Sequence, residues 1–132
     1  MIVLKLQKDF FTMANREENA KRLRYIRILE RFSHSIITYL SKSDEISHEV
    51  YNKRIKNNIR YYEKTEKVHL YKGDYNDLEA LVLKMLSFQD SEEDIDEIRN
   101  TILRDANKLE QTSNNRKYKK DKHKNSIFDG WE

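Results

Sequence analysis

The chain has 132 residues, a mass of 16.1 kDa and a formal net charge of +3, which suits one ordinary domain. Hydrophobic and charged residues each make up 37% of it, so the core is small and the surface strongly polar. It contains no cysteine, no proline and two glycines, Gly73 and Gly130. That composition excludes a disulfide framework, a thiolate nucleophile, a Cys-ligated zinc site and a Gly-rich phosphate loop.

No apolar run approaches the ~18 residues of a membrane span. Lys5, Lys8 and Asp9 interrupt the opening apolar stretch too early for a secretory signal. The expectation is an intracellular, cytoplasmic protein with no membrane partner. In residues 2–11, Ile2, Leu4 and Leu6 alternate, but a lone strand would have no neighbour. A short helical or extended arm packed on the rest is expected there.

The first strong helix is predicted over residues 15–40. Asn15 offers a cap, Glu18 completes a capping box, and Leu23, Ile26, Phe32, Ile36, Ile37 and Leu40 recur near helical spacing. A second helix is predicted over residues 44–65 on the series Ile46, Val50, Ile55, Ile59 and Tyr62. Residues 66–75 read as a loop ending in the Gly73-Asp74 turn signal. A third helix over 76–88 carries the greasiest face, with Leu81, Val82 and Met85. A fourth, over 91–109, places Ile95, Ile98, Ile102, Ala106 and Leu109 on one side. The fold class expected is an all-α antiparallel bundle of about four amphipathic helices over residues 1–110. A flexible basic tail over residues 111–132 is expected to follow it, because the apolar period stops there.

Charge is segregated along the chain. Residues 1–72 carry a balance of +7, residues 73–110 of −7, and residues 111–132 of +3. Opposite halves of this kind can pair within one chain or across a homodimer. Lys21, Arg24, Arg27, Arg31 and His34 follow one another at steps of 3, 3, 4 and 3. On a helix they make one stripe about 20 Å long. Tyr25 is expected beside it, and Lys53, Arg54, Lys56 and Arg60 of the second helix would widen it. Guanidinium groups along such a line can follow a phosphate backbone with bidentate contacts. The competing reading is a solvated face whose cations pair with Glu17, Glu18 and Glu30. The tail adds Arg116, Lys117, Lys119 and Lys120 in a basic run with Tyr118 inside it, which suits RNA or DNA contact. That run could also fold back on the acidic residues 90–97. Beyond it, Ile127, Phe128 and Trp131 stand beside Asp129 and Glu132. Large apolar side chains in that setting suit either a clasp on the bundle or a partner protein's pocket.

The four histidines form no HxxxH or HExxH pair, and no triad or carboxylate dyad is marked. No metal and no cofactor are expected. Arg27 and His34 are separated by six residues on one helix face. They resemble the loose R-x(4–6)-H pattern of the HEPN family of small helical RNases over eight residues. Ile28 follows the Arg where that family usually has a polar residue. The resemblance implies a dimer, with His34 in acid–base or positioning work and Arg27 on phosphate. The function expected from the residues themselves is non-enzymatic: a small adaptor touching nucleic acid through its basic surfaces and a partner protein through its C-terminal tip. A purely protein-binding assembly, chaperone or inhibitor module is the alternative, with the third helix or the tip as its contact.

Overall fold

The computed structural model describes the backbone of residues 2–129 and the side chains of residues 15–117. Four helices follow one another: α1 (Ile2–Lys42), α2 (His48–Lys64), α3 (Gly73–Ser87) and α4 (Ile95–Asp129). No strand occurs among the described residues, so the all-α bundle is the fold. α1 packs on all three other helices. Side-chain pairs fix the register. Arg31 meets Tyr61 and Tyr39 meets Ser47, which sets α2 antiparallel to α1. Lys84 meets Asp105 and Asp74 meets Arg116, which sets α4 antiparallel to α3.

The core is one cluster, and its largest share comes from α1. Tyr25, Ile26, Leu29, Phe32, Ile36, Tyr39 and Leu40 recur every three or four residues along one face. Ile55 of α2, Leu81, Val82 and Met85 of α3, and Ile98 and Ile102 of α4 close over it. Tyr51 is fully buried, and its hydroxyl donates to the Met85 carbonyl at 2.7 Å. That bond satisfies a phenol that would otherwise cost free energy to bury. Leu23 and Val50, both counted toward the core by spacing, are instead exposed at 48% and 42%.

The helix ends depart from expectation for physical reasons. α1 does not begin at Asn15 but runs through it from Ile2, because no glycine or proline interrupts that stretch. α2 starts later than predicted, with Ser47 as its cap: the Val50 N–H donates to Ser47 Oγ at 3.3 Å. Gly73 is the first residue of α3 rather than a turn. The positive-φ turn residue lies instead after α3, where Asp90 adopts φ 57° and its N–H donates to Asn52 Oδ1 at 3.1 Å. Ser91 does not open α4; its Oγ accepts from the Glu93 N–H at 3.1 Å within the join. The Asp94 carbonyl takes the first α4 bond, from the Ile98 N–H.

No break marks residue 110. α4 continues through residues 111–117, where Ser113 Oγ donates to Asp74 Oδ2 at 3.4 Å and Arg116 pairs with Asp74 and Asp77. Apolar periodicity reports burial, not helicity, and the Gln, Arg and Lys of this stretch are good helix formers. No described helix is long and apolar enough to cross a membrane.

Candidate nucleic-acid interface

A residue and its successor on a helix point about 100° apart. The same turn that buries Tyr25, Leu29, Phe32 and Ile36 therefore sends Arg24, Arg27, Arg31 and His34 outward, and all four are exposed. Lys21 shares a shallow concavity with Arg24, but its ammonium is engaged. It is half-buried, with Nζ 3.3 Å from Glu66 on the α2–α3 join. Tyr25 does not lie beside the stripe. Its ring is 1% exposed, and its hydroxyl donates to Glu79 Oε2 at 2.5 Å across the α1–α3 contact.

Along one flank the ridge meets α2. The Arg31 guanidinium lies over the Tyr61 ring, 4.9 Å from its centroid. One turn further, Asn58 Nδ2 donates to Ser35 Oγ at 3.2 Å and Arg54 Nη1 to the Ser35 carbonyl at 3.4 Å. These contacts define a seam. α1 brings Arg31 and Ser35 to it, and α2 brings Arg54, Asn58 and Tyr61. None of these positions is a carboxylate. Glu30 lies on the ridge's other flank, in a shallow concavity shared with Arg27, Arg31, Ser33, His34 and Ile37. Among the described residues, Arg24, Arg27, Arg31 and His34 form no ion pair within 4.0 Å. The expected pairing of this stripe with Glu17, Glu18 and Glu30 does not occur there.

The remaining cations divide. Arg54 is spoken for, its guanidinium also 5.0 Å from the Tyr39 ring centroid. Lys53, Lys56 and Arg60 are exposed on α2. Arg116 is bound at the start of α3 rather than at residues 90–97, and its guanidinium lies 3.0 Å from where a Gly73 Cβ would stand. Lys117 is exposed. The side chains of Lys119, Lys120, Ile127 and Phe128 lie outside the described residues, as does Trp131 altogether. None of the described ion pairs joins the basic first half to the acidic stretch 73–110.

Tyr61 is the residue that sequence reasoning missed. It is 50% exposed at the middle of the seam. Its signal was present in the spacing of Arg54, Asn58 and Tyr61, but only the pairing of α1 with α2 gives that face a meaning. The third helix offers little to a partner, since Leu81, Val82 and Met85 are buried in the core and Leu83 alone of its large apolar side chains is exposed. Among the described residues, no group of three or more His, Asp or Glu side chains could hold a metal ion.

No protein-family model, curated protein or solved structure matches this chain. The fold defines an all-α four-helix bundle. The outer ridge of α1 and its seam with α2 form an exposed basic surface.

Proposed function

We propose that this is a small non-enzymatic adaptor that binds nucleic acid along the outer ridge of α1 and its seam with α2. A partner protein would be taken by the tip formed by Ile127, Phe128 and Trp131. One observation carries the nucleic-acid reading: Arg24, Arg27 and Arg31 stand exposed in line on one ridge, none with a carboxylate within 4.0 Å among the described residues. Three unneutralised guanidinium groups in a line cost self-repulsion, and a polyanion would relieve it while releasing counterions.

The test is fluorescence anisotropy of the full chain with labelled single-stranded RNA and duplex DNA. Affinity should fall roughly 20-fold between about 50 and 200 mM salt, and the Arg24→Gln/Arg27→Gln/Arg31→Gln variant should lose most of that dependence. Absence of binding at low salt would refute the reading and favour the protein-binding module. A second reading has one observation in its favour: Arg27 and His34 line the same concavity, as the HEPN resemblance requires of such a pair. Shortening of the RNA that disappears in His34→Ala would replace the adaptor by a nuclease.

A further inference from the structure

The form of polymer can be argued from Tyr61, on the strength of the nucleic-acid reading above. Two adjacent tyrosines of α2 have separate surroundings. Tyr62 is half-buried and turns inward, its ring 6.4 Å from Tyr25 and 6.2 Å from Phe32. Tyr61 meets no other aromatic ring among the described residues and keeps half of its surface in solvent. Its neighbour is the Arg31 guanidinium, so ring and cation together form a flat, positively charged platform. Packing of the bundle does not explain this ring, because Tyr62 already fills the inward position.

A second exposed cation–aromatic pair provides a control within the same molecule. The Arg22 guanidinium lies 4.6 Å from the centroid of Tyr71. That pair shares its concavity with Glu18 and Glu66, two carboxylates that would repel phosphate. Arg31 meets one carboxylate, Glu30, in a concavity that Tyr61 does not line, and Ser35, Asn57 and Lys64 stand within one helical turn of the platform. A paired base in a duplex is covered by its stack on both faces, whereas an unpaired base has a π-face to offer. We propose that the α1–α2 seam binds single-stranded nucleic acid, with one base stacked on the Tyr61–Arg31 platform and the flanking phosphates on Arg24, Arg27 and Lys64.

The experiment titrates the full chain into labelled oligouridylate, oligodeoxythymidylate and a duplex of the same length, with Tyr61→Leu, Tyr61→Phe and Tyr71→Leu as variants. Both single strands should bind more tightly than the duplex, and their relative affinity tells RNA from DNA. Tyr61→Leu should weaken single-strand binding about 5-fold or more and leave the duplex unchanged. Tyr61→Phe and Tyr71→Leu should behave as the parent. An unchanged circular dichroism melting curve shows that Tyr61→Leu keeps its fold; should it not, the single-strand preference of the parent and the behaviour of Tyr61→Phe decide. Equal or tighter binding of the duplex, or a silent Tyr61→Leu beside an Arg24→Gln/Arg27→Gln/Arg31→Gln variant that binds weakly, would overturn the single-strand inference while nucleic-acid binding stands. Binding of none of the three polymers would overturn both.

Discussion

The hydroxyl of Tyr25 donates to the carboxylate of Glu79 at 2.5 Å, tying the central helix α1 to α3 from inside the core. A hydrogen bond to a charged acceptor in a partly buried site is among the stronger kinds. Tyr25→Phe keeps the ring and leaves the carboxylate without its donor, so it should cost about 1.5–3 kcal/mol in urea unfolding. A loss below a few tenths would show that water replaces the phenol there.

The same phenol and that of Tyr51 set a pH limit. Burial, and then the Glu79 bond, pushes Tyr25 far above the ordinary tyrosine value; burial alone does so for Tyr51. Both groups are therefore neutral in the fold under conditions where they ionise in the unfolded chain. The stability they contribute is complete below about pH 10, the ordinary tyrosine value, and is lost as pH rises above it. Tyrosinate absorbance from these two rings should appear together with the loss of helical circular dichroism. Ionisation of Tyr25 or Tyr51 in a fully helical protein would contradict this.

Ser47 holds the α1–α2 corner twice. Its Oγ caps α2 through the Val50 N–H, and its own N–H donates to the Tyr39 hydroxyl at 3.0 Å. Ser47→Ala removes the cap alone and should cost about 1 kcal/mol. Tyr39→Phe should cost a similar amount by leaving the Ser47 N–H unpaired. Because the two bonds share one residue, the double variant should depart from additivity, which a double-mutant cycle in urea would read.

Gly73 and Arg116 are coupled by space. At the first position of α3, alanine should gain about 0.4–1 kcal/mol over glycine by restricting the unfolded chain. Its Cβ would meet the guanidinium that pairs with Asp74 and Asp77, which must then move. Gly73→Ala should therefore stabilise more in an Arg116→Gln background than in the parent. The Arg116 pair is partly exposed, so its removal alone should cost no more than about 1 kcal/mol and less at high salt.

The inward faces of α1 and α4 were legible in the sequence because Ile26, Phe32, Ile36 and Leu40, and Ile98 and Ile102, are aliphatic or aromatic residues with one way to face. Tyr51 was not. Helical spacing favours Val50, whereas the structure buries Tyr51, whose hydroxyl finds a carbonyl on α3 that no local pattern announces. The ridge of Arg24, Arg27 and Arg31 was legible as a local helical spacing. The surroundings of Lys21 and Tyr25 were not legible, because Glu66 and Glu79, which engage them, are distant in sequence. The extension of α4 past residue 110 escaped because a polar helix leaves no apolar period.

The proposed nucleic-acid contact lies on the α1–α2 seam. Photo-crosslinking the full chain to an oligonucleotide carrying thiouridine, followed by peptide mapping, locates the contact directly. Crosslinks are expected at Tyr61 and in the α1 peptides that hold Arg24, Arg27 and Arg31, with both suppressed by salt. Crosslinks confined to the peptides after Lys117, or to α3, with none at Tyr61, would contradict it.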